Sequence, residues 1–180
     1  MRKIQIGVMG SCSDLNYSEI IEKAAERIGE LIAERNGILF FGAEKDFNSL
    51  STAASRGAKR KNGLVIGVTY NKGKDIFEKN VDVIIASGLE RGGGRELTLV
   101  LSCDVVIALN GGSGTLTELA IAYQADIPMV VLNNTGGWSE KLANTFLDSR
   151  ERRKIYAKDT PEEVVDLAFK LAEEYIVRYG

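Results

Sequence analysis

Short apolar runs recur along this chain with amphipathic stretches between them, and that alternation constrains the fold more than any other feature. The runs fall at residues 4–9, 38–41, 64–68, 81–86, 105–109 and 129–132, with a weaker one at 155–157. Most are apolar at successive rather than alternate positions, which suits parallel strands covered on both faces. Helical patterns fill the intervals at 18–34, 49–59, 94–102, 115–125, 139–146 and 161–178. In the first, Ile20, Ala24, Ile28 and Ile32 form one stripe, with Ile21, Ala25 and Leu31 beside it. The last opens Thr160-Pro161-Glu162-Glu163, which supplies an N-cap, a proline at the first helical position and a capping glutamate. Repeated β–α order predicts a doubly wound α/β fold with right-handed crossovers and a mostly parallel sheet of about six or seven strands. No repeat, low-complexity tract or linker divides the chain, so residues 1–180 read as a single domain.

Composition narrows the function classes. The 180 residues are enough for a substantial core. A formal net charge of −2 argues against nucleic acid as a partner, because sequence-independent binding rests on many Lys and Arg contacts to phosphate. No apolar run reaches the length of a membrane span, and the N-terminus passes straight into a strand without the apolar core of a signal peptide. Cys12 and Cys103 form no CxxC pair, which fits free thiols in a cytoplasmic setting. The chain has no histidine. Ser-His-Asp and Cys-His catalysis are therefore excluded, and the commonest zinc ligand is absent.

In a doubly wound sheet the loops at the C-terminal strand ends carry the chemistry. The most informative is Asn110-Gly111-Gly112-Ser113-Gly114-Thr115, which follows the apolar run 105–109 and leads into a helix. Glycines permit close backbone approach, and a helix start offers unpaired N–H groups at a positive dipole end, so this turn suits an anion such as phosphate. Glu118 then stands one turn into the helix. It has two readings: a carboxylate beside the bound ligand, or the closing member of a Thr115-x-x-Glu118 capping box.

After the first run, Gly10 and Ser11 lie in a GxxG-type turn and are candidates for phosphate or ribose contact, while Asp14 reads as a local cap. Residues 42–49 contain one glycine, Gly42, and three charged residues, an arrangement poorly suited to a tight phosphate cradle. Arg95 starts a helix after Gly92-Gly93-Gly94, where a cation needs a compensating anion, a carboxylate or solvent. Trp138 follows Gly136-Gly137 and is read either as a platform for a planar ligand or as turn packing. The basic run 150–154, interrupted by Glu151, reads as a solvated surface.

Asn110-Gly-Gly-Ser-Gly-Thr-Leu-Thr-Glu118 resembles the PGGxGTxxE signature of the LOG-like (SLOG) proteins, a family often labelled as lysine decarboxylases. Arg95, 23 residues upstream of Glu118, resembles the arginine of that family's second motif. The GxxGS turn at 7–11, Ser55-Arg56-Gly57-Ala58 and the Gly-Gly-Trp at 136–138 fit as well, so the resemblance runs from residue 3 to residue 175. It is nearest to the branch containing molybdenum-cofactor carrier proteins.

The resemblance implies a Rossmann-like three-layer α/β/α fold, usually dimeric, with sites near the subunit interface. It also implies a phosphoribohydrolase that cleaves the N-glycosidic bond of a nucleoside 5′-monophosphate, or a non-catalytic carrier or sensor of a nucleotide or molybdenum (pterin) cofactor. In the hydrolase, Glu118 and Arg95 would be catalytic. The ligand would lie against Gly10, Ser11, Gly42, Gly111, Gly112, Ser113, Gly114 and Thr115. No metal and no cofactor is required, and pyridoxal-phosphate chemistry is not expected because nothing marks a Schiff-base lysine.

Three departures from the family pattern are visible. Asn110 replaces proline, which predicts a change of turn rigidity only. Glu96 follows the arginine where the family has lysine. The glycine-rich GGGxxGLM loop is replaced by Gly42-Ala43-Glu44-Lys45-Asp46-Phe47-Asn48-Ser49.

Overall fold

The computed structural model describes residues 2–90 and 94–179. Its elements in chain order are β1 (Gln5–Gly10), α1 (Glu19–Glu34), β2 (Ile38–Gly42), α2 (Leu50–Arg60), β3 (Leu64–Thr69), β4 (Val83–Ala86), α3 (Gly94–Leu101), β5 (Val105–Leu109), α4 (Ser113–Gln124), β6 (Met129–Leu132), α5 (Gly137–Lys141), β7 (Ile155–Lys158) and α6 (Pro161–Tyr179). All the strands pair in parallel, in the order β4-β3-β2-β1-β5-β6-β7. The register aligns Val8 with Phe41 on one side and with Ile107 on the other.

The continuous apolar runs are explained by two cores. Alternate strand residues Ile6, Val8, Val105, Ile107, Val130 and Leu132 face the helices α1, α2 and α6. Their neighbours Met9, Val106, Ala108, Met129 and Val131 face α3 and α4. Period-two alternation therefore places apolar groups on both faces, giving the three-layer architecture expected of an α/β/α domain. The helices α1 and α2 meet so closely that a Cβ at Gly29 would lie 1.8 Å from the Ala54 carbonyl oxygen, and one at Gly57 1.8 Å from that of Glu26. Glycine at both positions is what allows the two backbones to touch.

Three elements differ from the sequence pattern by two residues or more. The run expected at 81–86 pairs only over β4. The helix expected at 139–146 is the short α5, which stops before Leu142; Asn144 already has a left-handed φ of 58°. The helix expected from 115 begins at Ser113. Arg91, Gly92 and Gly93 of the glycine-rich loop before Arg95 lie outside the described residues. Among the described residues no helix is long and apolar enough to cross a membrane.

Candidate ligand site at the strand-order switch

Strand order reverses between β1 and β5: α1 leaves β1 toward one face and α4 leaves β5 toward the other. The two loops part at the C-terminal strand ends, the position at which open α/β sheets bind ligands. A cavity of about 400 Å³ opens there. Its wall takes Gly10, Ser11, Cys12 and Asp14 from the β1 loop, Gly42 and Glu44 from the end of β2, and Ser49 and Ser51 from the start of α2. Tyr70, Arg95 and Glu96 add a further side, and Gly112 to Thr115, Thr117 and Glu118 close it.

One end of the cavity is built from backbone. Gly112 is the N-cap of α4 and offers no side-chain cap, and the first helical N–H to reach back is that of Leu116, to the Gly112 carbonyl at 3.1 Å. The amides of Ser113, Gly114 and Thr115 thus have no intrahelical acceptor, and no acceptor elsewhere among the described residues. They sit at the positive end of the helix dipole, where an anion is stabilised. Among the described residues nothing outside its own helix turn lies within 4 Å of a Cβ placed on Gly114, so access is open.

The same helix start decides between the readings of Glu118. Thr115 is the third helical residue rather than the N-cap, so the capping box is not formed. Glu118 is only 6% exposed and lines the cavity, and its carboxyl has no hydrogen-bond partner among the described residues. Burial pushes its carboxyl up to about 8; Arg95 pulls against that shift, while Glu96 and Glu44 add to it.

The loop before α4 is held by Asn110 and Ser11. Asn110 adopts a left-handed φ of 54°, which proline cannot reach. Its Oδ1 accepts from the Ser11 hydroxyl at 2.8 Å and from the Gly111 amide at 2.7 Å, and its Nδ2 donates to the Thr135 carbonyl at 2.7 Å. The Gly111 amide also donates to Ser11 Oγ at 2.9 Å. Asn110 therefore changes the path and the bonding of the turn, not its rigidity alone. Gly111 lies behind the cavity wall with its N–H engaged, and the Ser11 hydroxyl is committed to the loop. Gly10 lines the cavity, but its lack of a side chain also serves packing: a Cβ there would lie 2.8 Å from that of Leu50.

Arg95 is buried, and carboxylates compensate its charge. One terminal nitrogen bonds Glu44 Oε1 at 2.8 Å, the other reaches Glu96 Oε1 at 3.3 Å, and the guanidinium lies 4.0 Å from the Tyr70 ring centroid. Tyr70 in turn donates its hydroxyl to Glu96 Oε1 at 2.9 Å. Burial opposes the charge on Arg95, but Tyr70, Glu44, Glu118 and Glu96 more than offset it and raise its pKa. A Cβ at Gly42 would lie 3.0 Å from the guanidinium, so the glycine leaves room for the arginine plane. Two of the three departures from the family pattern, Glu96 and the 42–49 loop through Glu44, thus converge on one side chain. The 42–49 loop turns Glu44 inward, steadied where the Phe77 amide donates to the Glu44 carbonyl at 2.8 Å.

Of the residues singled out in the sequence, Gly10, Ser11, Gly42, Arg95, Gly112, Ser113, Gly114, Thr115 and Glu118 line one cavity, and Gly111 does not. Trp138 is not part of that wall: its amide donates to the Gly111 carbonyl at 3.0 Å and Lys141 Nζ lies 4.7 Å from its ring centroid. Cys103 is buried and donates to the Leu99 carbonyl at 3.2 Å. The sequence reading missed Cys12, Ser51 and Tyr70 as wall residues. Tyr70, one residue beyond β3, was within reach of the strand-end rule.

Comparison with known proteins agrees with this architecture. The model of the SLOG cluster4 family matches residues 3–165. An uncharacterised protein of Archaeoglobus fulgidus is 37% identical over 126 residues, which are 69% of this chain and 76% of that protein. The molybdenum cofactor binding protein of Rippkaea orientalis is 33% identical with a TM-score of 0.80, covering 95% of this chain and 98% of its own. The molybdenum cofactor carrier protein of Chlamydomonas reinhardtii is 29% identical with a TM-score of 0.79, covering 96% and 99%.

Proposed function

Because the chain belongs to the SLOG cluster4 family, we propose that it is a carrier or sensor for a phosphate-bearing small molecule, a molybdenum (pterin) cofactor or a nucleotide. The observation that carries this reading is the pairing of three unsatisfied α4 amides with an arginine already neutralised by Glu44 and Glu96. The ligand's phosphate meets the amides of Ser113, Gly114 and Thr115. Arg95 fixes the cavity floor. The relatives from Rippkaea and Chlamydomonas, described as binding or carrying molybdenum cofactor, support the carrier over a hydrolase. Native mass spectrometry of the chain purified from molybdenum-replete cells tests this: a bound phosphorylated pterin or nucleotide is expected, and a ligand-free chain that also fails to bind either class in titration contradicts it.

A second reading, hydrolysis of nucleoside 5′-monophosphates, is favoured by Glu118 alone. A buried carboxyl held up to about 8 suits proton transfer at neutral pH. Incubation with a panel of nucleoside monophosphates should then release free base, and Glu118→Gln should abolish release.

The chain is also proposed to form a homodimer or higher homo-oligomer, and to do so in the cytoplasm. The support is an apolar groove lined by Leu97, Leu101, Leu116, Ala120, Ile121 and Ala125 on α3 and α4, with Leu97 and Leu101 44% and 54% exposed. Thr117 borders both this groove and the cavity.

A further inference from the structure

Leu15 reaches across the crevice between the β1 and β5 loops. It belongs to a single 3₁₀ turn, Ser13–Leu15, that lies between β1 and α1 and has no buried residue. The near end of this segment is pinned. The Ser13 amide donates to the Asn48 carbonyl at 2.9 Å, and the Leu50 amide to the Ser11 carbonyl at 2.9 Å. The far end is held by Tyr17, which packs against the core, and by Ser18, the N-cap of α1. Between the pins, the described backbone bonds are local: the Leu15 amide to the Cys12 carbonyl at 3.1 Å and the Asn16 amide to the Ser13 carbonyl at 3.3 Å.

Leu15 is 53% exposed, lines the cavity and rests on the start of α4, where a Cβ on Gly112 would lie 2.7 Å from its Cδ1. The next three residues are those whose amides have no acceptor. Gly112 has an ordinary extended backbone, φ −92° and ψ −154°, so its conformation does not itself demand glycine. What the missing side chain provides is the seat for Leu15. An apolar side chain left half in water gains burial when a ligand lies beside it. Covering amide–phosphate contacts with that side chain also keeps water from weakening them.

We propose that residues 13–16 form a lid over the anion end of the cavity and that Leu15 is its latch. The lid lifts to admit a phosphate to the amides of Ser113, Gly114 and Thr115, and Leu15 settles on Gly112 to retain it. Lifting disturbs local hydrogen bonds and the Gly112 seat while leaving the sheet intact, which keeps the motion inexpensive. This deepens the carrier reading, by assigning what controls release from that site, and rests on it.

Binding of ribose 5-phosphate to the full chain, with the release rate read from phosphorus-31 NMR line shapes, tests the lid. Leu15→Ala should speed release about tenfold without slowing association. Gly112→Ala keeps Leu15 but unseats it, and should speed release by a similar factor. In the double variant the two effects should not add, because no latch remains to be unseated. Ligand should slow amide hydrogen exchange at residues 13–16 in the wild type and not in Leu15→Ala. An unchanged release rate in Leu15→Ala overturns the lid. So does a Gly112→Ala effect that persists in full without Leu15, because the added methyl would then be meeting the ligand itself. If neither ribose 5-phosphate nor inorganic phosphate binds the wild type, the carrier reading falls, and the lid with it.

Discussion

The Ser11 hydroxyl donates to Asn110 Oδ1 at 2.8 Å and accepts from the Gly111 amide at 2.9 Å, tying together the two loops that part at the switch between β1 and β5. The residues are 99 apart in sequence, yet their bond sets the entry into α4. Asn110→Ala leaves the Ser11 O–H without its acceptor and the Thr135 carbonyl without its Asn110 donor, and should destabilise the protein by about 1–3 kcal/mol. Asn110→Pro should cost more, because φ at this position is 54°. Denaturant titration of both variants checks the order.

Glu44→Ala should expose the cost of the buried arginine. Removing one partner of a buried ion pair costs about 3–5 kcal/mol, and Glu96 at 3.3 Å retains part of the compensation, so a loss near the lower end, about 3 kcal/mol, is expected. Thermal unfolding measures it. An unchanged melting temperature would show that Arg95 does not depend on Glu44.

Glu118 makes stability depend on pH in a direction opposite to that of most carboxylates. Its folded pKa of about 8 lies above the ordinary glutamate value, so the folded state holds the proton more tightly. The contribution to stability is complete below the unfolded pKa and is lost as pH rises through the folded one. Between about pH 4.5 and 8 the wild type should lose up to about 1.4 kcal/mol per pH unit relative to Glu118→Gln. Unfolding free energies of the two proteins across that range decide the matter; parallel curves would contradict the burial of a neutral carboxyl.

Leu101→Glu places a charge in the apolar groove between α3 and α4. The expected outcome is a shift from dimer to monomer in size-exclusion light scattering, with the far-UV spectrum retained. A wild-type chain that is monomeric at high concentration would refute the dimer.

Much of the fold was legible because burial on both faces leaves a local mark. The runs at 105–109 and 129–132 coincide with β5 and β6, and even the weak run at 155–157 pairs as β7. The turn after β5 was legible for the same reason, since glycines between a strand and a helix have few other uses. The floor of the site was not. Glu44 and Arg95 are 51 residues apart and meet only because β2 and α3 deliver them to the same strand end, which no local spacing encodes. The Thr115–Glu118 spacing misleads because the helix starts two residues early, at Ser113 with Gly112 as its N-cap, leaving the carboxyl to face the cavity rather than the backbone. Proline in the family signature likewise hid that asparagine here takes a left-handed turn.

Ser113→Pro offers a selective probe of the anion end. Proline is tolerated at the first helical position, and the preceding Gly112 has the extended backbone it requires, so the helix should persist while one amide donor is lost. Affinity for ribose 5-phosphate should fall by about tenfold.

The most direct test of the account is a crystal structure of the protein with GMP or a phosphorylated pterin bound. Phosphate oxygens are expected within about 3 Å of the amide nitrogens of Ser113, Gly114 and Thr115, with Arg95 still clamped by Glu44 and Glu96. A phosphate seated on the Arg95 guanidinium, with Glu44 displaced, would contradict it.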